Sequence, residues 1–161
     1  MSFATRFDAR LSFLLPAALL LVMAMATPAA AQDVGVRGGV SVDPDQVYLG
    51  AHLETAPLVD RLVFRPNLEA GFGDDLTHVG VNLEFAYKFP SNGPWALYAG
   101  GGPAANFYRF DRGPGREDGT ATEGGLNLLV GVEQASGLFF EFKVGAVDSP
   151  DLKFGVGWTF R

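Results

Sequence analysis

The sequence predicts an all-β fold, an eight-stranded up-and-down antiparallel transmembrane β-barrel. Three observations lead there. Apolar and polar residues alternate one for one through eight short segments, the period-2 pattern of strands with one apolar face. Turn residues separate these segments, and none of them sustains a helical period. The apolar positions include no Asp, Glu, Lys, Arg or His, while the alternate positions mix charges of both signs with glycine.

Residues 1–31 are set apart. Arg6 and Arg10 give a basic start, Leu11 to Ala26 is an apolar run, and Ala29-Ala30-Ala31 offers a small-residue cleavage site before Gln32. This reads as a secretory signal peptide; the rival reading is a retained membrane anchor, since Leu11 to Ala31 is just long enough to span a bilayer. Residues 32–161 then form one barrel domain, because 130 residues suffice for one domain and not for two. Setting aside Arg6, Arg10 and Asp8 leaves 10 Lys+Arg against 17 Asp+Glu, a net charge of −7. That excludes a phosphate-binding surface, so no nucleic acid partner is expected. The absence of cysteine excludes disulfides, thiolate chemistry and a lipidated N-terminal cysteine.

The segments run in order along the chain. Val34 to Val42 places valines opposite Gly35, Arg37, Gly39 and Ser41; Val47 to Thr55 sets Val47, Leu49, Ala51 and Leu53 against Tyr48, Gly50, His52 and Glu54. In Leu62 to Gly73 the polar set includes Arg65, Asn67 and Glu69. Thr77 to Phe89 is the cleanest, with Val79, Val81, Leu83, Phe85, Tyr87 and Phe89 opposite His78, Gly80, Asn82, Glu84, Ala86 and Lys88. Trp95 to Phe107 is less regular and contains Tyr98 and Asn106 on its polar side. Glu123 to Glu133 sets Leu126, Leu128, Val130 and Val132 against Asn127, Gly131 and Glu133.

The last two segments form a hairpin from Leu138 to Phe160. Phe139, Glu141, Lys143, Gly145 and Val147, then Lys153, Gly155, Gly157 and Thr159, make its polar face. Asp43-Pro44-Asp45, Ser91-Asn92-Gly93-Pro94, Ser136-Gly137 and Asp148-Ser149-Pro150 mark turns. Asp111 to Ala121 is the one longer loop.

Alternation alone does not decide whether the apolar face points inward, as in a soluble periplasmic lipocalin-like lipid-binding barrel, or outward to lipid. The polar face favours the second. Glycine weakens a solvent-facing strand and packs nothing there, whereas inside a narrow eight-stranded barrel small residues leave room for large ones. Strands of about ten residues, at about 3.3 Å each and tilted by about 40°, rise roughly 25 Å, the height of an outer-membrane apolar band.

On these residues the chain resembles the small eight-stranded outer-membrane barrels of the OmpX and opacity-protein kind. The resemblance covers residues 32–161 as architecture. Its sharpest local element is Phe154-Gly155-Val156-Gly157-Trp158-Thr159-Phe160, which is similar to the aromatic-terminated last strand that the barrel-assembly machinery reads in that family. Phe154, Val156, Trp158 and Phe160 are thereby implied as the assembly signal, with Arg161 after the final aromatic as a departure. The resemblance implies a Gram-negative envelope protein, a monomer among outer-membrane lipids, with both termini in the periplasm and no cofactor. Phe89, Trp95, Phe140, Trp158 and Phe160 would form an aromatic girdle at that rim. Two further departures are expected to matter: the loops are short for the family, and Pro66 and Pro103 fall mid-strand, where each removes a ladder hydrogen bond. A bulge at Gly100-Gly101-Gly102 would absorb the second.

The polar face sends Arg37, Arg65, Lys88, Lys143 and Lys153 into the lumen with Glu54, Glu69, Glu84, Glu133 and Glu141. A salt-bridged structural plug is expected, because confined charges must pair; the alternative is a charge-selective pore. His52 and Glu54 share a face, and Asp148-Ser149 resembles an acidic–serine pair, so an enzyme acting on lipid A or phospholipid acyl chains is the second functional reading. The His and Ser spacing of the deacylases is absent, and a non-enzymatic structural, envelope-integrity or surface-contact role is expected. Asp74, Asp75 and His78 are read as a solvated loop end in preference to a weak cation site. Gly100 to Ala105 fits G-x-G-x-x-A superficially, but no helix comes after it to receive a phosphate. Arg109, Arg112 and Arg116, interleaved with Asp111, Glu117 and Asp118, are read as a mixed-charge loop rather than a lipopolysaccharide site.

Overall fold

The structure, a computed structural model, describes residues 32–74, 76–110, 119–147 and 149–161. Eight strands occur in order: β1 Gln32–Val42, β2 Gln46–Thr55, β3 Leu62–Phe72, β4 Leu76–Lys88, β5 Trp95–Phe110, β6 Gly119–Gln134, β7 Leu138–Val147 and β8 Leu152–Phe160. Each pairs antiparallel with the next, and β1 pairs with β8, from Val34 opposite Phe160 to Val42 opposite Leu152, closing the barrel. Closure pairs every strand with a neighbour on both sides, although β6 runs beyond its ladder with β7, which ends at Leu126; such pairing is how a sheet satisfies its backbone without water. Residues 1–31, read as a signal peptide, lie outside the described residues.

The segment from Asp111 to Ala121 is shorter as a link than the sequence suggests. β5 and β6 run on for 16 residues each, and Phe110 faces Gly119. Thr and Gly tolerate the extended backbone there, so the alternation of side chains continues after the apolar pattern has stopped.

The apolar set faces outward. Leu49, Val47, Phe72, Leu128 and Val156 are all exposed, Leu49 by 64%, whereas Arg37, Arg65, Glu69, Glu84 and Lys143 are buried inside the barrel. An apolar, ligand-holding interior is therefore overturned, and with it the lipocalin-like arrangement.

Both mid-strand prolines sit where a ladder lapses. Phe64 donates its N–H toward β2, to Thr55 Oγ1 at 3.1 Å, so the Pro66 nitrogen, two residues on, also points to β2. The β2–β3 ladder ends at His52 opposite Asn67, one residue from Pro66. The Thr55 hydroxyl takes the N–H that the proline has cut off from the ladder. At Pro103 the β4–β5 ladder skips Leu83 and Glu84, while its β5–β6 ladder continues through Leu126. The register on either side of this gap is the same, so the bulge expected at Gly100-Gly101-Gly102 does not occur. The irregularity lies instead between β6 and β7: Leu126 faces Val147 but Asn127 faces Gly145. Ala146 is the extra residue, and it reverses the facing of Val147 after it. Val147, assigned to the polar face by alternation, is 55% exposed.

Candidate functional site: a charged barrel interior

Seven of the eight strands send charge inward, and β5 contributes Tyr98 instead. Among the described residues the interior holds the five acids and five bases that alternation assigned to it. Glu69 on β3 receives three cations: Lys143 Nζ at 2.9 Å, Lys153 Nζ at 2.8 Å and Arg37 Nη1 at 3.5 Å. Arg37 Nη1 also reaches Glu141 Oε1 at 2.8 Å, and Lys143 reaches Glu84 Oε1 at 2.8 Å. Arg65 then carries the chain onward, to Glu141 Oε2 at 3.6 Å, Glu133 Oε2 at 3.0 Å and, through Nε, Glu54 Oε2 at 3.0 Å. Lys88 bonds Glu54 and lies 3.1 Å from Glu133. At the end where the chain terminates, Arg161 pairs with Glu133 and Asp33. The result is one connected ion-pair chain from Lys153 to the terminal rim.

Removing ions from water costs several kcal/mol each, and mutual attraction offsets this only when the remaining lone pairs and protons are also satisfied. Side chains that the ion-pair reading did not single out do this for the carboxylates, while Arg37 Nε and Nη2 and Arg65 Nη1 donate no hydrogen bond among the described residues. Asn67 Nδ2 donates to Glu84 Oε2 at 2.7 Å, Asn82 Nδ2 to Asn67 Oδ1 at 2.7 Å, and Asn127 Nδ2 to Asn82 Oδ1 at 2.8 Å. Tyr98 donates its hydroxyl to Glu141 Oε2 at 2.9 Å. The Arg65 guanidinium lies 4.7 Å from the Tyr98 ring and 5.5 Å from Phe139, and Arg37 lies 5.5 Å from Phe139, within cation–π range.

The three asparagines stood on polar positions in the sequence. The aromatic shelf had a weaker trace: a glycine on a facing strand for each ring. Gly157 and Gly155 lie where a Cβ would come within 2.3 Å of Phe139 and of the Tyr48 hydroxyl respectively.

Two open cavities lie at opposite mouths. One of about 430 Å³ is lined by Lys88, Tyr98, Glu133, Arg161 and the turn 90–94; one of about 280 Å³ is lined by Tyr108, Phe110, Glu123, Ser149 and Asp151. Between them Arg65 and Glu84 are 0% exposed and Glu69 1%, so the ion-pair chain fills the section.

The candidate catalytic residues are drawn into the same packing. His52 Nε2 lies 3.1 Å from Thr159 Oγ1 and its ring meets Phe139 edge-on at 5.4 Å. Both His52 and Thr159 are buried, facing away from any acyl chain on the outer wall. His78 is not at a solvated loop end: it is 1% exposed, 3.0 Å from Asn106 Oδ1 and stacked on Tyr108 at 4.8 Å. Its inward position on β4 removes it from Asp74; Asp75 lies outside the described residues. Asp148 does too, while Ser149 Oγ accepts a 3.2 Å hydrogen bond from Asn106 Nδ2. Gly100 and Gly102 are strand residues whose Cβ positions would strike the Phe85 and Leu83 carbonyls, which is a close-approach role. Arg112, Arg116, Asp111, Glu117 and Asp118 lie outside the described residues.

The outer wall completes the geometry. Phe154, Val156, Trp158 and Phe160 all face outward on β8. Phe89, Trp95, Phe140, Trp158 and Phe160 are exposed at the end carrying the termini, with Trp95 and Phe140 6.0 Å apart.

Comparison with solved structures finds the same architecture. The N-terminal β-barrel domain of Pseudomonas aeruginosa OprF superposes with a TM-score of 0.62 at 14% identity, over 80% of this chain and 96% of that one. Neisserial surface protein A, NspA, gives a TM-score of 0.60 at 16% identity, over 80% and 96%. At these identities the likeness is one of fold. No protein-family model and no curated protein sequence matches the chain.

Proposed function

We propose that this protein is a non-enzymatic outer-membrane β-barrel of a Gram-negative envelope, monomeric among outer-membrane lipids, with a role in envelope integrity or surface contact. The observation that carries this reading is the facing of the wall: an outer surface of exposed Val, Leu and Phe around an interior of paired charge. Exposed apolar area on this scale is unstable in water and stable in lipid. The fold shared with OprF's barrel and NspA supports the same location. The aromatic ring at the terminal end is the interfacial girdle of this reading, which puts both termini in the periplasm. The outward Phe154, Val156, Trp158 and Phe160 serve as the strand read by the barrel-assembly machinery during export, after removal of residues 1–31. The ten interior charges serve as a structural plug, with no cofactor and no conducted ion.

Cell fractionation, followed by gel migration with and without boiling, tests this. The protein is expected in the outer-membrane fraction, with a boiling-dependent shift in migration; a freely soluble periplasmic protein overturns it. The sealed His52–Thr159 pair argues against the lipid-acyl enzyme. Acyl release or transfer on lipid A that disappears in His52→Ala would establish that second reading instead.

A further inference from the structure

The chain contains five asparagines, at 67, 82, 92, 106 and 127. Asn67, Asn82, Asn106 and Asn127 are buried in the barrel, hydrogen-bonded to other interior side chains, and each is followed by Leu or Phe. Asn92 differs in every respect. It lies in the link between β4 and β5, it is exposed, and Gly93 follows it.

Gly93 lacks the constraints that fix most strand glycines. At Gly39 and Gly100 a Cβ would strike the Phe154 and Phe85 carbonyls, whereas at Gly93 it would meet only Ser91 Oγ, at 3.9 Å, an ordinary contact. Nor does the backbone require glycine there: among the described glycines, positive φ is recorded at Gly137. What glycine does supply is a peptide nitrogen with no side chain shielding it from the Asn92 amide. The β4–β5 ladder ends at Lys88 opposite Tyr98, with one further bond from Phe89 N–H to the Leu97 carbonyl. Gly93 N–H donates only to the Ser91 hydroxyl, at 3.1 Å, so no strand pairing holds this peptide unit.

We propose that Asn92-Gly93 is a site of spontaneous deamidation, which places a carboxylate in the terminal mouth. The Gly93 nitrogen gives up its proton to water or hydroxide and attacks Asn92 Cγ. The new C–N bond closes a succinimide ring, and the side-chain nitrogen leaves as ammonia. Water then opens the ring: cleavage at Cγ gives aspartate, and cleavage at the former Asn92 carbonyl carbon gives isoaspartate, with the chain running through Cβ. One water enters and one ammonia leaves, with no oxidant or reductant. The four interior asparagines are closed to this route, because each precedes a bulky residue in a paired, extended strand that keeps the side-chain amide away from the next nitrogen.

The surroundings favour the charge of the product. Asn92 lines the larger mouth cavity together with Arg61, Lys88 and Arg161. The carboxylate in that lining, Glu133, is already shared among Arg65, Lys88 and Arg161. A carboxylate at position 92 therefore adds negative charge where the lining sets three cations against one acid. The charge of this mouth becomes a function of the age of the molecule. None of this depends on the membrane reading, since the link and its cavity belong to the fold itself.

The test follows the protein refolded in micelles, incubated at neutral and at mildly alkaline pH, by peptide mapping and mass spectrometry. Asn92 is expected to acquire the mass change of an amide-to-acid exchange, faster at the higher pH, while the four interior asparagines of the same sample stay unchanged. Both product isomers should appear, the isoaspartate detected by an isoaspartyl methyltransferase with labelled methyl donor. Gly93→Ala, which the fold accommodates, should slow the conversion at least tenfold and leave the mobility of the folded protein in gels unchanged. An Asn92 that stays intact in the folded protein while the free peptide Pro-Ser-Asn-Gly-Pro-Trp converts would overturn the proposal, without needing any variant to fold. So would conversion of the interior asparagines at the same rate, an equal rate in Gly93→Ala, or aspartate as the sole product, which would mean direct hydrolysis without a succinimide.

Discussion

Tyr98 and Gly131 face each other across the β5–β6 ladder, and a Cβ on Gly131 would lie 2.3 Å from Tyr98 Cζ. The ring occupies the volume that a side chain at 131 would take, and from there its hydroxyl reaches Glu141 and its face meets Arg65. Gly131→Val should therefore overpack the interior and displace Tyr98, costing about 1–3 kcal/mol. Urea titration of the refolded protein in lipid vesicles measures this. A neutral substitution would mean that Tyr98 is free to leave the shelf.

Glu69 is the acceptor for Lys143, Lys153 and Arg37. Glu69→Gln leaves these cations with too little compensating charge and should destabilise the barrel by about 3–5 kcal/mol. Adding Lys153→Met to that variant should recover part of the loss, because one surplus cation is removed. Strict additivity in the double-mutant cycle would show that the two residues are not coupled.

Val156 and Lys153 test the facing of the wall on one strand. Val156 is exposed on the outer face, opposite Gly38 and Phe140, and Val156→Arg should cost about 2–4 kcal/mol in bilayers. Lys153→Gln should cost less, since Glu69 keeps Lys143 and Arg37. A wild type that stays monomeric in water, with a silent Lys153→Gln, would contradict the lipid-facing assignment.

The interior also sets an expectation for transport. With Arg65, Glu69 and Glu84 buried between the two mouths, purified protein in planar bilayers should give no stable, well-defined conductance. Reproducible ion-selective channels would turn these three residues from plug into pore lining.

Thr55 stands in for a ladder partner beside Pro66. Thr55→Val deletes the acceptor of the Phe64 N–H and should lower stability by about 1 kcal/mol. Amide exchange at Phe64 should rise with it; unchanged exchange would mean that another acceptor serves.

The strand count, the two faces of nearly every strand and the residues that carry charge inward were all legible in the sequence, because side-chain facing has a local period of two and needs only neighbours along the chain. Partner choice was not. Lys153 meets Glu69 across 84 positions of sequence, and Arg37 meets Glu141 across 104; these pairs depend on strand stagger around a closed barrel, which no single strand encodes. His78 illustrates the same limit, since its position beside two aspartates in sequence suggested solvent, while its parity on β4 turned it to Asn106. The bulge at Ala146 was likewise invisible, because an alternating pattern reads the same until a second strand shows which residue has no partner. That one extra residue turns Val147 outward, and among the described residues the β6–β7 ladder ends there, a feature of two strands in register rather than of either strand alone.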